Sequence, residues 1–172
     1  ALESASPLRS VAFQQQPPPQ AWWRAHKAER GTDLAKSPAV AVELGRELHK
    51  HLKLGGNDAL VLLTRERLAG NWFSFHDGPS PATVVVHATG WESLGLDEQA
   101  HFAVAHLVAS NLMATQLFPR MHDWRRVAHQ ATRGCVMDLC MNKREIEAKL
   151  KAADICPACH DAFAEVLSGH PE

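Results

Sequence analysis

The sequence predicts an α+β domain: a small sheet, a buried central helix and a C-terminal segment organised by cysteines. Three observations carry that reading. The runs DALVLLT (Asp58 to Thr64) and ATVVVHAT (Ala82 to Thr89) have the apolar or β-branched composition of strands inside a sheet. The stretch from Leu96 to Phe118 is apolar on nearly every side, the mark of a helix enclosed by its own domain. All four cysteines fall between Cys135 and Cys159.

Taken in order, residues 1–36 read as a tail or linker. They lack periodicity, contain the tract QQQPPPQ and carry two adjacent tryptophans, Trp22 and Trp23, expected to dock on the chain's own domain, with a partner as the alternative. Residues 37–172 are expected to form one globular domain. Ser37-Pro38 is a helix start, with a capping hydroxyl followed by proline in the first turn. Leu44, Leu48 and Leu52 recur one turn apart, and Gly55-Gly56 ends the helix. Asp58 to Thr64 follows as a central strand buried on both faces. NWFSF supplies a second strand, HDGPSP a turn and Ala82 to Thr89 a third strand. The long helix opens at Asp97, and Phe102, Ala105, Ala109, Leu112 and Met113 are expected to form its packed face, with the two alanines allowing close approach to the strands. A short helix from Glu145 to Ala153 and another from Pro157 to about Leu167 complete the chain.

Composition excludes several classes. The 172 residues are 45 % apolar and 22 % charged with a net charge of −1, so the whole chain is not a polyanion binder. No apolar run nears the roughly 18 to 20 residues of a membrane span. Nothing marks export, which predicts reduced thiols and a cytoplasmic protein. There is no GxSxG elbow, phosphate-binding glycine loop or paired-carboxylate motif.

The cysteines form two pairs. Four residues separate Cys135 from Cys140, fifteen separate Cys140 from Cys156, and two separate Cys156 from Cys159. Two close pairs around a spacer of this size predict one structural zinc ion, Zn2+, held by four thiolates at Cys135, Cys140, Cys156 and Cys159. Two disulfides in an exported protein, or a redox pair at Cys156 and Cys159, are the competing readings. A helix starting at Pro157 favours thiolate charge at Cys156, and Arg133, Lys143, Arg144, Lys149 and Lys151 surround the pairs. Asp138, inside the first pair, is expected to cap backbone donors of its loop or to pair with Arg133. His160, next to Cys159, is placed to hydrogen-bond a thiolate.

The arrangement Cys135, Cys140-Met141, Cys156 and Cys159 resembles the C-terminal zinc site of the archaemetzincin metalloproteases, and the order of elements over residues 37 to 168 is similar. The resemblance implies a zincin-like domain. The family's catalytic motif, HExxHxxGxxH, is missing: Leu107 follows His106 where the general-base Glu belongs, Ser110 and Met113 replace the second His and the Gly, and Gly134 precedes Cys135. The expectation is therefore a pseudo-protease: a zinc-stabilised binding or regulatory module with no catalytic residue, whose partner is another protein. The alternative is a metallohydrolase built from some of the eleven histidines. His101 and His106 are ill placed for that, lying about 140° apart around a helix. A second alternative is nucleic-acid binding through Arg120, Arg125, Arg126, Lys143 and Arg144, since residues 119–151 hold eight Lys or Arg against four Asp or Glu, with Trp124 interleaved.

Overall fold

The structure is a computed structural model. It describes residues 38–56, 58–65, 67–68, 72–77, 82–91, 100–118, 127–140, 142–152 and 154–168, all within the compact unit Asp33–Glu172. The expectations for the tail, for Trp22, Trp23 and Trp124, and for the helix start at Asp97 lie outside these residues.

The fold is α+β, with four helices and a three-stranded mixed sheet among the described residues. Helix α1 spans Pro38–Leu52, strand β1 Ala59–Thr64, β2 Ser74–Asp77 and β3 Ala82–His87. Helices α2 (Ala100–Leu117), α3 (Glu145–Ala152) and α4 (Pro157–Ser168) follow. The strand order is β1-β3-β2, with β1 parallel and β2 antiparallel to β3.

The central strand is β3, and each of its residues from Ala82 to His87 is buried. Side chains alternate across a strand, so Thr83 and Val85 serve one face and Val84 and Val86 the other. Helix α1 covers the first face. Its Gly45 lies so close to the Thr83 side chain that a Cβ there would collide with it, and His49 approaches the Ala82 carbonyl at 3.2 Å. Helix α2 covers the second face, where Ala103 and Leu107 join Val84, Val86, Phe73, Trp91 and Ile146 in one apolar cluster.

Two expectations are corrected here. The run Asp58 to Thr64 is an edge strand, not a central one, and Leu63 on it is 60 % exposed. Its apolar content reflects Val61, which packs against the α2-side cluster although, among the described residues, no second strand pairs with β1. Helix α2 packs on β3 and β2, and its buried stripe is Ala103, Leu107, Asn111, Ala114 and Thr115. Phe102, Ala105 and Ala109 face outward, with Phe102 57 % exposed. A helix without a charged residue offers no polar side to orient it, so apolar periodicity alone cannot choose the face. Hydrogen bonds choose it instead. Asn111 donates to Ser74 Oγ at 3.1 Å and to Leu107 O at 2.7 Å, and its Oδ1 lies 3.0 Å from His76 Nδ1. Ser74 and His76 pair with Val86 and Val84, which places them on the α2 side of β2. A buried polar residue is tolerated where its bonds are made, and here they fix the helix against the edge strand.

Candidate metal centre

The C-terminal segment is assembled around two anchors. Helix α3 opens with a capping pair: Asn142 donates from its side chain to Glu145 Oε1 at 2.8 Å, and its own Oδ1 accepts the Arg144 N–H at 3.0 Å. Ile146 of α3 is fully buried in the cluster with Trp91 and Leu107. Helix α4 belongs to a second cluster, in which Phe163 meets Phe118 at 5.6 Å between ring centroids, beside Ala114, Val127 and Met137.

Three chain segments meet between these anchors. Val127 to His129 leaves the second cluster, and His129 pairs with the turn after Cys135: Leu139 N–H donates to His129 O at 2.8 Å. Cys135 follows Gly134, whose φ is 87°, a left-handed conformation suited to glycine. A Cβ at Gly134 would stand 2.5 Å from Ala152 Cβ, so the loop also needs glycine for its approach to α3. Cys156 and Cys159 sit at the start of α4, whose first turn is closed by His160 N–H donating to Cys156 O at 2.9 Å.

The ligand atoms of His129, Cys135, Cys156 and Cys159 all lie within 4.8 Å of one another, a group that could hold a metal ion. His129 Nε2 is 3.1 Å from Cys156 Sγ and 3.2 Å from Cys159 Sγ. Cys156 N–H donates to Cys135 Sγ at 3.4 Å. The donors suit a cation that accepts thiolate and imidazole. Burial, and then the neighbouring Cys135 and Cys156, hold the Cys159 thiol well above its ordinary value, because three sulfurs cannot share one buried pocket as thiolates without a compensating positive charge. The Cys156 thiol is pushed the other way, chiefly by the backbone N–H of Cys159 at the helix N-terminus.

Asp138 organises the loop that presents Cys135. Its Oδ2 accepts three backbone N–H bonds, from Arg133 at 2.6 Å, Gly134 at 2.8 Å and Cys135 at 3.0 Å. Its own carbonyl accepts from Lys149 Nζ at 2.8 Å, and Lys149 is only 2 % exposed. The carboxylate thus caps backbone donors of the loop, one of the two roles expected from the sequence.

Of the four cysteines expected to share an ion, the structure brings together Cys135, Cys156 and Cys159. Cys140 lies outside this group. The chain turns between Cys135 and Asp138, Leu139 pairs with His129, and Cys140 is carried to the first apolar cluster. Burial there pushes its thiol up to about 11, against the opposing effect of Lys149. All four cysteines are free in this structure. The fourth member of the group is His129, a residue that the cysteine spacing does not reveal. Its only sequence signal is a histidine six positions before Cys135. His160 does not approach the sulfurs: its side chain is exposed, with Nδ1 3.8 Å from Asp161.

The remaining candidates have other surroundings. His106 on α2 has a buried Nε2 with no hydrogen-bond partner among the described residues, and burial, reinforced by the Lys149 charge, lowers its pKa to about 4. Among the described residues, no second group of three or more His, Cys, Asp or Glu gathers as a metal site. Of the five cations expected to meet nucleic acid, Arg120, Arg125 and Arg126 lie outside the described residues. Lys143 turns inward, donating to Thr89 O, standing 3.0 Å from His87 Nδ1 and lying 4.2 Å from the Trp91 ring centroid. Arg144 is exposed. No described helix is long and apolar enough to cross a membrane.

Comparison with known proteins returns no matching family model, curated protein or solved structure.

Proposed function

We propose that this chain is a zinc-stapled binding or regulatory module of the zincin-like kind suggested by its archaemetzincin resemblance, without peptidase activity. The observation that carries the reading is the convergence of His129, Cys135, Cys156 and Cys159 within 4.8 Å. Three soft thiolates and an imidazole match tetrahedral Zn2+. Four protein ligands complete that geometry and leave no position for a water to be activated, so the ion's role is structural. Zinc bound there ties the His129 segment, the Cys135 loop and the first turn of α4 into one unit. His129 replaces Cys140 as the fourth ligand in this reading.

The surroundings of α2 support the absence of protease chemistry. His106 faces the charge of Lys149, which opposes a second cation, and Leu107 is buried in the core where the family motif has its general base. Ser110, at the position of the second motif histidine, donates to Leu107 O at 3.2 Å.

Zinc content by mass spectrometry, combined with a peptide-library cleavage assay, tests both halves. We expect one zinc per chain, lost on His129→Ala and retained on Cys140→Ala, with no cleavage above the protein-free blank. A second zinc that is removed without unfolding, together with cleavage abolished by His106→Ala, refutes the reading and favours the metallohydrolase.

A further inference from the structure

The three sulfurs of the metal centre differ in access. Cys135 and Cys159 are buried, at 1 % and 0 % exposure. Cys156 is half-buried, and the residues flanking it, Ile155, Pro157 and Ala158, are exposed. A small oxidant arriving from solvent therefore meets Cys156 first. Both other sulfurs already stand within 4.8 Å of it, so an oxidised Cys156 has a partner at hand. Cys140, the fourth thiol, is partly buried against a different cluster, the one that holds Trp91 and Ile146.

We propose that Cys156 is a peroxide-reactive modification site, and that its oxidation discharges the metal by forming a disulfide with Cys135 or Cys159. This rests on the zinc reading above. In the first step the Cys156 thiolate attacks one oxygen of hydrogen peroxide. An S–O bond forms, the O–O bond breaks, and hydroxide leaves to take up a proton as water. In the second step a neighbouring thiolate attacks the sulfenic sulfur. An S–S bond forms, the S–O bond breaks, and a second hydroxide leaves as water after protonation. The sulfurs lose two electrons and peroxide gains them. The balance is two thiolates, one peroxide and two protons giving one disulfide and two waters. Two of the four ligands are then withdrawn, and one thiolate with one imidazole cannot retain the ion. A dithiol restores both thiolates and hence the site. Cys140 stays out of the reaction because it lies against a different cluster, outside the group of sulfurs, and burial there keeps its thiol protonated.

The test uses the full chain loaded with Zn2+, with bound zinc quantified before oxidant is added. Hydrogen peroxide is then titrated while a chromogenic chelator reports released zinc, and disulfides are mapped by peptide mass spectrometry. We expect release in proportion to peroxide, complete near about one equivalent, with Cys156 in the first disulfide and Cys140 still open to alkylation after denaturation. Dithiothreitol should restore zinc uptake, and Cys140→Ala should give the same release curve as the parent. A chain that binds zinc but keeps it in about tenfold excess peroxide overturns this proposal alone. So does a first disulfide containing Cys140, or a Cys156 sulfinic acid with no disulfide. A chain that takes up no zinc overturns both this proposal and the zinc reading.

Discussion

Replacing Asp138 by Ala removes a single carboxylate that holds three backbone donors of the Cys135 loop, at 2.6, 2.8 and 3.0 Å. The bonds of Gly134 and Cys135 are buried, whereas the Arg133 N–H is part-buried and regains water more readily. A buried donor left without an acceptor costs about 1 to 3 kcal/mol, so two of them predict a loss of about 2 to 6 kcal/mol. That is a large share of the roughly 5 to 15 kcal/mol that holds a typical domain. Part of the loss will appear as local loosening, because a loop with unsatisfied donors opens to water. If the proposed zinc binds here, it must then reorder the loop, which predicts an affinity about 10- to 100-fold weaker, the range typical of partners that orient a metal ligand. Chelator competition measures the affinity, and urea titration of the apo and zinc-loaded chains measures the stability. Asp138→Asn should fall between parent and Ala, because it keeps an acceptor but loses the charge and sets an amide near the position of Oδ1, which has no partner among the described residues. Zinc affinity within about threefold of the parent, with stability changed by less than about 0.5 kcal/mol, would show that the carboxylate does not hold this loop.

Two further predictions concern Gly134 and His106. Gly134→Ala combines a left-handed backbone with a collision at Ala152, so a loss of about 2 kcal/mol or more is expected by urea titration, with weakened zinc binding; an unchanged midpoint would mean that the loop and α3 can separate freely. For His106 the folded pKa is lowered to about 4 from an ordinary value of 6.5, so the unfolded chain binds the proton first as pH falls. Its contribution is complete above pH 6.5 and is lost progressively as pH falls toward 4. Discounted for partial exposure, it amounts to about 2 kcal/mol. His106→Leu should therefore flatten the stability profile of the metal-free chain across that window, and an unaltered slope would assign the acid sensitivity to other groups.

The sequence made the elements legible where local chemistry decides them. Proline opens α1 and α4, and a β-branched run makes β3. It was less informative where tertiary placement decides. Nothing in ALVLLT states that β3 covers only one of its edges, since Val61 must be apolar either way. Helix α2 is apolar all round, so the choice of Leu107 and Asn111 over Ala105 and Ala109 emerges only from the bonds Asn111 makes to β2. The Cys-x2-Cys pair was legible because helix geometry alone brings its sulfurs together. Cys140 was not, since a buried thiol and a ligand look alike in sequence. His129 reaches the site through pairing with the turn at Asp138, a contact between residues without any shared motif.

Helix α2 serves both apolar clusters. Its first half contributes Ala103 and Leu107 to the one beneath the sheet, and its last turns, with Phe118, contribute to the one beneath the metal centre. A single rigid rod therefore belongs to two cores, and neither can melt completely without releasing its share of that rod. The free energy of ion binding acts on the native state as a whole only if unfolding anywhere destroys the site. Here α2 supplies the mechanical link, so metal supply would set the cooperativity of the domain: one transition when the ion is bound, and an earlier, separate loss of the α4 end when it is scarce.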